Sequence, residues 1–349
     1  MTTSRVLLAQ TPTSKFEKST IDRGEVGLHD VLIDIAFSGI CHSDLHQVRN
    51  EWFEGIFPMV PGHEISGHVA AVGAGVTKFK VGDAVGVGTI IGSCGECEYC
   101  LAGRQNVCLK GNVQTYNGRF YDGTPTYGGY SSTVIVNENF VLSIPESLPM
   151  DAAAPLLCAG ITVYAPLKRF GAGPGKRVAI MGMGGLGHLA VKFAAAFGAD
   201  TYVLGTSEAK AKDAASFGAT DYLLINDEAT FAEYVNFFDV ILNTTSSNTA
   251  VDKILTLLRV GGSLVNVGLP SEDEHFNPFS LIASMKSISG SNTGGIAETQ
   301  DMLNFCGEHG IAATIELVDA SEASAIDTAY DRMLHSDVRY RFVIDASTI

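Results

Sequence analysis

The chain has 349 residues, of which 46% are hydrophobic and 17% are charged, and its formal net charge is -15. This length exceeds what one hydrophobic core usually organises, so about two domains are expected, and the apolar content excludes intrinsic disorder. The excess of acidic side chains repels phosphate backbones and anionic lipids, which argues against nucleic acid or a membrane surface as a partner.

Short extended runs separated by glycines fill the first 150 residues. Strands are predicted at residues 31–36, 65–72, 84–87 and 130–136. Strands of this length, with turn residues between them, are typical of a barrel-like β domain.

The longest uncharged apolar stretch, residues 152–167, is shorter than the ~20 residues of a membrane span, and the N-terminal apolar run is too short for a signal peptide. We therefore expect a cytoplasmic protein.

After residue 150 the spacing of the apolar residues changes to a pattern typical of alternating strands and helices. A buried strand at 178–181 is followed by apolar residues at helical spacing from Leu186 to Phe197, and Gly198 ends this helix. The remaining predicted strands are 201–204, 222–225, 239–242 and 263–267, and the predicted helices are 208–217 and 250–258. This alternation predicts a doubly wound parallel sheet. Helices at 297–309 and 320–334 and a strand at 342–345 complete the chain.

Four of the seven cysteines lie close together at Cys94, Cys97, Cys100 and Cys108. Four thiols in one loop can close a tetrahedral shell around a structural zinc, with no position left for substrate. An iron-sulfur cluster is the alternative, because the first three spacings are those of bacterial ferredoxins. The fourth cysteine comes later than in those proteins and is followed by Leu109 rather than proline, which favours zinc.

Cys41, His63 and Cys158 form a second candidate ligand set. Two thiolates and one imidazole, with a fourth position open to water or substrate, are the ligands of a catalytic zinc. Because these residues are far apart in the sequence, ordinary core or surface positions are the alternative. The segment after Cys41 favours a metal, since it offers a hydroxyl, a carboxylate and a second imidazole from Ser43, Asp44 and His46.

A glycine-rich turn, Gly182-Met-Gly184-Gly-Leu-Gly187, joins the strand at 178–181 to the next helix. In this position the pattern indicates a dinucleotide site, with the pyrophosphate at the helix N-terminus. After the next strand, an NAD site would carry an acid for the ribose 2'-hydroxyl, but Gly205 and Thr206 stand there. Thr206, Ser207 and Lys210 could instead bind a 2'-phosphate, and an acid at Gly205 is expected to reverse this preference. An ordinary helix cap with a solvated lysine is the alternative.

Together these motifs resemble the zinc-dependent alcohol dehydrogenases of the medium-chain dehydrogenase/reductase superfamily. The segments at 41–46, 62–64 and 156–162 carry this resemblance, and those at 48–52, 206–210 and 337–345 are most similar to the NADP-dependent cinnamyl alcohol dehydrogenase type. The resemblance implies an α/β protein. Its GroES-like catalytic β domain would comprise residues 1–150 and 290–349, its Rossmann domain residues 151–289, and its active site would lie in the cleft.

The resemblance also implies roles for individual residues. Cys41, His63 and Cys158 would bind the catalytic zinc beside Glu64, Asp44 would support the ligand histidine, and Ser43 would pass the substrate proton through the nicotinamide ribose to His46. The implied cofactor contacts are His42 and Arg341 at the pyrophosphate, Thr162 at the nicotinamide, and Gly182, Gly184, Gly185, Leu186, Gly187, Thr206, Ser207, Lys210 and Val267. Trp52 would form a wall of the substrate pocket, or else belong to the core.

The implied reaction is zinc-dependent hydride transfer between NADP(H) and a small-molecule aldehyde or primary alcohol, broad in range and with aldehyde reduction favoured. Two zinc ions per chain and a homodimer are expected. The alternatives are a quinone or enoyl reductase of the same superfamily without the catalytic zinc, and a non-enzymatic iron-sulfur electron carrier. Cys306 matches no ligand and is predicted to be a buried apolar thiol.

Overall fold

The computed structural model describes residues 2–270 and 272–349. The chain separates into two compact units, the first formed by Met1–Cys158 with Gly294–Ile349 and the second by Ala159–Thr293. The first unit thus extends beyond the boundary expected near residue 150. Met150 accepts a hydrogen bond from Ser66 Oγ at 2.8 Å, and Ala152 accepts one from the Ala313 N–H at 3.2 Å. These bonds attach the segment after residue 150 to the first unit.

The first unit begins with nine short strands and three short helices. The elements in chain order are β1 (Thr3–Ala9), β2 (Phe16–Asp22), β3 (Asp30–Ile40), α1 (His42–Val48), β4 (Ile65–Val72), β5 (Ala84–Val87), β6 (Ile90–Gly92), α2 (Glu98–Leu101), β7 (Val113–Gln114), β8 (Thr133–Asn137), β9 (Leu142–Ser143) and α3 (Met150–Ala153). The strand predicted from residue 130 begins at Thr133, because Ser131 forms only an isolated bridge with Val6, closed by bonds from the Leu7 N–H to Tyr130 and from the Ser132 N–H to Arg5.

The second unit is a six-stranded sheet in which every neighbouring pair of strands is parallel. Its elements are α4 (Ala159–Arg169), β10 (Arg177–Met181), α5 (Gly187–Ala196), β11 (Asp200–Gly205), α6 (Ala211–Ser216), β12 (Asp221–Leu224), α7 (Glu228–Glu233), β13 (Phe238–Asn243), α8 (Val251–Leu257), β14 (Leu258–Asn266), α9 (Phe279–Ile282) and β15 (Ser287–Gly290). The strand order β12-β11-β10-β13-β14-β15 confirms the doubly wound sheet. The helix predicted at 208–217 starts only at Ala211, after a 3-10 turn at Glu208–Lys210.

The C-terminal segment returns to the first unit. It consists of α10 (Ile296–His309), β16 (Ile315–Asp319), α11 (Ser324–Leu334) and β17 (Arg341–Asp345). β17 lies between β16 and β3 in a seven-stranded sheet, and Phe342 pairs with Ile40. The pairing brings Arg341 beside the end of β3. The helix predicted from residue 320 starts at Ser324, after a turn in which the Ala320 N–H donates to Thr348 Oγ1 and the Ser321 N–H to Asp319 Oδ1, both at 2.8 Å.

Among the described residues, no single helix is both long and apolar enough to cross a bilayer, and only a bent pair, Met150–Leu157 with Ala159–Arg169, meets these criteria together.

Candidate active site

The first unit brings the predicted catalytic ligands together. Cys41 follows β3 and begins α1, His63 and Glu64 directly precede β4, and Cys158 closes the segment after α3. One ligand atom from each of these four residues lies within 4.8 Å of the others. His63, Glu64 and Cys158 are buried. Two thiols, one imidazole and one carboxylate at this spacing are a donor set that fits a zinc ion.

Asp44 orients the ligand histidine. Its carboxylate is fully buried, and Oδ1 accepts a hydrogen bond from His63 Nδ1 at 3.0 Å. Asp44 Oδ2 accepts from the Cys41 N–H at 2.8 Å. Although burial opposes it, the Asp44 carboxylate raises the pKa of His63 well above its usual value. With Nδ1 bonded to Asp44, Nε2 is the nitrogen left for a metal.

Arg341 lies beside the ligand cluster. Its side chain is buried, Nη2 donates to Glu64 Oε1, and Nη1 lies 4.0 Å from Cys41 Sγ. The guanidinium thus belongs to the ligand cluster, where it neutralises Glu64, and the expected pyrophosphate contact stays a prediction. Burial raises the pKa of Glu64 to about 7, although Arg341 opposes the shift. Glu64 Oε2 is buried without a hydrogen-bond partner, which leaves one oxygen of this carboxylate available to a cation.

The predicted proton path follows the ligand cysteine along α1. Ser43 Oγ lies 3.4 Å from His63 Nε2, on the ligand side of the imidazole. His46 Nδ1 lies 2.5 Å from Glu51 Oε2, and its ring stacks on Trp52 with centroids 4.8 Å apart. Glu51 was not predicted from the sequence, because the contact depends on the turn after α1, where the Glu51 N–H donates to the His46 carbonyl at 2.9 Å. His42 is exposed on the same helix.

The four-cysteine loop brings its thiols together. The sulfur atoms of Cys94, Cys97, Cys100 and Cys108 all lie within 4.8 Å of one another. The Cys94 N–H donates to Cys108 Sγ, and the Cys97 N–H donates to Cys94 Sγ, both at 3.4 Å. Hydrogen bonds from the backbone N–H groups of Leu109 and Cys100 lower the pKa of Cys97 to about 6, which favours the metal-binding thiolate. This set fits the predicted structural zinc.

The glycine-rich turn of the second unit has the predicted strand-turn-helix context. Gly182 follows β10 with φ +86°, and a Cβ atom there would lie 2.6 Å from Thr245. A Cβ atom at Gly187 would lie 2.1 Å from the Gly182 carbonyl oxygen, so this turn is tight enough to require glycine at both positions. Gly184 is exposed and no atom crowds it, which leaves its backbone accessible to a pyrophosphate.

The remaining predicted cofactor residues of the second unit surround this turn or lie near it in the fold. Lys210 Nζ donates to the Met183 carbonyl inside the turn at 2.8 Å. Gly185 and Leu186 lie half-buried at the start of α5, Thr162 is buried on α4, and the Val267 N–H donates to Asn243 at 3.0 Å after β14. Lys210 therefore connects the glycine-rich turn to the segment after β11.

Thr206 and Ser207 are exposed directly after β11. Tyr222, which the sequence did not single out, donates from its hydroxyl to the Ser207 carbonyl at 2.9 Å. A Cβ atom at Gly205 would lie 1.9 Å from that hydroxyl oxygen. A side chain at Gly205 would have to displace the Tyr222 ring, and the expectation that an acid there reverses cofactor preference stays a prediction.

Comparisons with known proteins agree with this architecture. The alcohol dehydrogenase GroES-like domain matches residues 27–146, and the zinc-binding dehydrogenase family matches residues 185–308. A Bacillus subtilis protein named probable formaldehyde dehydrogenase AdhA is 56% identical, covering 99% of this chain and 98% of its own. An NADP-dependent alcohol dehydrogenase C of Mycolicibacterium smegmatis is 51% identical over 100% and 99% of the two chains.

Two solved structures share the fold. A cinnamyl alcohol dehydrogenase of Sorghum bicolor has a TM-score of 0.94 and 41% identity, covering 99% of this chain and 98% of its own. The Helicobacter pylori enzyme in complex with NADP(H) has a TM-score of 0.91 and 39% identity over the same shares. The chain is therefore an alcohol dehydrogenase and belongs to the zinc-dependent medium-chain dehydrogenases of the cinnamyl alcohol dehydrogenase type.

Proposed function

We propose that this protein is an NADP(H)-dependent, two-zinc enzyme that reduces small-molecule aldehydes and, in reverse, oxidises primary alcohols. The observation that carries the proposal is the cluster of Cys41, His63, Glu64 and Cys158, whose ligand atoms lie within 4.8 Å of one another. The unpartnered Glu64 Oε2 and the separate four-thiol loop support two metal sites with different roles. Relatives named as formaldehyde, alcohol and cinnamyl alcohol dehydrogenases support the substrate class.

Zinc in the Cys41 cluster would polarise the substrate oxygen, and NADPH would supply the hydride. Side chains of the protein then transfer the proton. Ser43 donates its hydroxyl proton to the substrate oxygen during reduction and accepts it back during alcohol oxidation. His46 resupplies that proton, and Glu51 holds the His46 ring by its Nδ1 atom. Trp52, half-buried against His46, would border the pocket for the substrate carbon chain.

The cofactor preference rests on the segment after β11. This segment lacks an acid at its start and offers the exposed hydroxyls of Thr206 and Ser207. Lys210 adds a cation that is already held in place by the Met183 carbonyl. Glu208 is exposed, so its side chain can turn to solvent. A 2'-phosphate with nearly two negative charges is better matched by this group than a 2'-hydroxyl.

Replacement of Lys210 by alanine is expected to weaken NADPH binding by roughly 10- to 150-fold, because a hydrogen bond to a charged group contributes about 1.5 to 3 kcal/mol. NADH binding should stay nearly unchanged. Fluorescence titration with both cofactors measures the difference. Lys212→Ala, which removes an exposed cation two residues further on, is the matched control. If the variant bound NADPH and NADH with equally weakened affinity, Lys210 would only hold the glycine-rich turn and would not bind the 2'-phosphate. A wild type that prefers NADH would contradict the proposal.

A homodimer is proposed through the second unit. β15 is an edge strand of its sheet, and apolar side chains nearby in the chain are strongly exposed, with Phe279 at 68%, Ile282 at 71% and Met285 at 74%. Exposed apolar groups of this size beside a strand edge are suited to association with a second copy. A cytoplasmic location is proposed because six of the seven cysteines belong to the two ligand sets, and metal binding requires reduced thiols.

A spectrophotometric screen of NADPH oxidation tests the proposed function. Short aliphatic, branched and aromatic aldehydes are offered to the purified protein, and zinc is counted in the same sample. We expect two zinc ions per chain and turnover of several aldehydes. A protein with one zinc that reduces quinones or enones but no aldehyde would instead support the reductase without a catalytic metal.

A further inference from the structure

A buried tyrosine connects the ligand cluster to the C-terminal helix α11. Tyr130 is fully buried, and its hydroxyl donates to Asp44 Oδ2 at 3.2 Å. The same hydroxyl lies 3.5 Å from the hydroxyl of Tyr330 on α11. Neither tyrosine carries a role in the proposed reaction. Both lie within the first unit, in segments that are distant from each other in the sequence.

The Asp44 carboxylate is held by a set of donors that also includes the buried Tyr116 hydroxyl. Its carboxylate has no exposed surface, and a buried carboxylate is stabilised only by the hydrogen bonds and charges around it. Oδ1 faces His63 Nδ1, while Oδ2 is shared by the Cys41 N–H and the Tyr130 hydroxyl. The Tyr130 bond therefore restricts rotation of the carboxylate that holds the ligand histidine. Burial raises the pKa of Tyr130 well above its usual value, so its hydroxyl stays a donor.

Tyr130 also contacts the loop that carries His63. The Tyr130 N–H donates to the Pro61 carbonyl at 2.9 Å. Gly62 has φ +104°, and a Cβ atom there would lie 2.7 Å from the Tyr130 ring. The residue directly before His63 is thus packed against the ring of Tyr130. One side chain fixes both the ligand loop, through its ring, and the carboxylate partner of the ligand, through its hydroxyl.

We propose that Tyr130 is a positioning residue for the catalytic metal, which acts by holding Asp44 in the orientation that presents His63 Nε2 to the ion. The inference rests on the proposed function, because it requires zinc at the Cys41 cluster. Tyr330 is the next group in the chain of hydroxyls and touches Tyr130 rather than Asp44. Removing the Tyr330 hydroxyl should therefore affect zinc binding less than removing the Tyr130 hydroxyl.

Zinc release from the holoenzyme to a chromogenic chelator tests the proposal, because the four-thiol loop supplies a second zinc as an internal reference. Groups that support a metal ligand typically change metal affinity by ~10- to 100-fold. For Tyr130→Phe we expect release of the Cys41-cluster zinc to accelerate by roughly 10-fold, with the other zinc unchanged. Tyr330→Phe, which also removes one buried phenol hydroxyl, should change the rate of release of this zinc by no more than about two-fold. In the cobalt-substituted protein, Tyr130→Phe should shift the visible absorption of the Cys41-cluster ion.

Equal release from wild type and Tyr130→Phe would overturn the proposal. Equal acceleration of both zinc ions, or an effect of Tyr330→Phe as large as that of Tyr130→Phe, would also overturn it, since either indicates general loosening. As a second comparison, the double variant Asp44→Asn/Tyr130→Phe is measured against Asp44→Asn alone. The two should release this zinc at rates within about two-fold, because Tyr130 acts through Asp44. A wild type with one zinc per chain would reject the proposed function and this inference with it.

Discussion

Cys158→Ala is expected to lower kcat/KM for aldehyde reduction by at least ~1,000-fold, because the metal contributes several kcal/mol to stabilisation of the transition state. Cys158 is one of the four residues whose ligand atoms meet within 4.8 Å, and removing its thiol opens the shell around the ion. The variant should still fold, keep one zinc per chain and bind NADPH. Steady-state kinetics, a zinc count and a fluorescence titration on one preparation measure these quantities.

Cys100→Ala and Cys306→Ala are the matched controls. Cys100 belongs to the closed four-thiol set, so its loss should lower the melting temperature or the soluble yield. Cys306 is also buried, but its thiol faces Met302 at 3.6 Å within α10 and belongs to neither ligand set, so both zinc ions and turnover should remain. The assignment of the two sites would be wrong if Cys158→Ala kept full turnover, or if Cys100→Ala lost a zinc with no change in melting temperature.

Ser43→Ala is expected to lower kcat by ~100- to 10,000-fold, the usual effect of removing one general acid or base. The Ser43 hydroxyl is half-buried and lies 3.4 Å from His63 Nε2, where a substrate oxygen at the metal would be within reach. Ser43→Thr keeps a hydroxyl on the same backbone and should retain most of the activity. A deuterated cofactor shows through its isotope effect whether hydride transfer limits the rate.

The proton path through Ser43 would be refuted by an alanine variant with wild-type kcat at saturating aldehyde under conditions in which hydride transfer limits the rate. A large drop in the threonine variant as well as in the alanine variant would instead indicate that the position tolerates no substitution. Zinc counts in both variants separate loss of the proton path from loss of the metal.

The sequence predicts best where chemistry depends on local spacing. The four-thiol loop and the glycine-rich turn each lie within one short segment, so their residues are neighbours in the fold whatever the rest of the chain does. Cys41, His63 and Cys158 are far apart in the sequence, and spacing alone left them uncertain. The resemblance to a family supplied their grouping, and the register of β3 against β4 and the packing of Ala154–Leu157 against both strands provide its physical basis.

Contacts made by pairing of distant strands were beyond prediction from local patterns. The ion pair of Arg341 with Glu64 depends on β17 lying beside β3, and no local periodicity shows which strand pairs with which. The contact of Tyr130 with Asp44 likewise joins segments that are distant in the sequence, whereas that of Glu51 with His46 depends on the conformation of the turn after α1. At Gly205, the sequence showed the missing acid but not the Tyr222 hydroxyl that occupies the space.

The position of β17 has a consequence for the order in which the protein can be made. The second unit comes from one continuous stretch, whereas the sheet of the first unit includes residues 341–345 between β3 and β16. A ribosome delivers these residues after all the other strands of this sheet, and domains generally fold as units as they emerge. All the thiols of both ligand sets are therefore synthesised well before Arg341 can reach Glu64. The nascent chain can hold a complete set of metal-binding side chains before Arg341 is made, so the ligand cluster takes its final form only once β17 has joined the sheet.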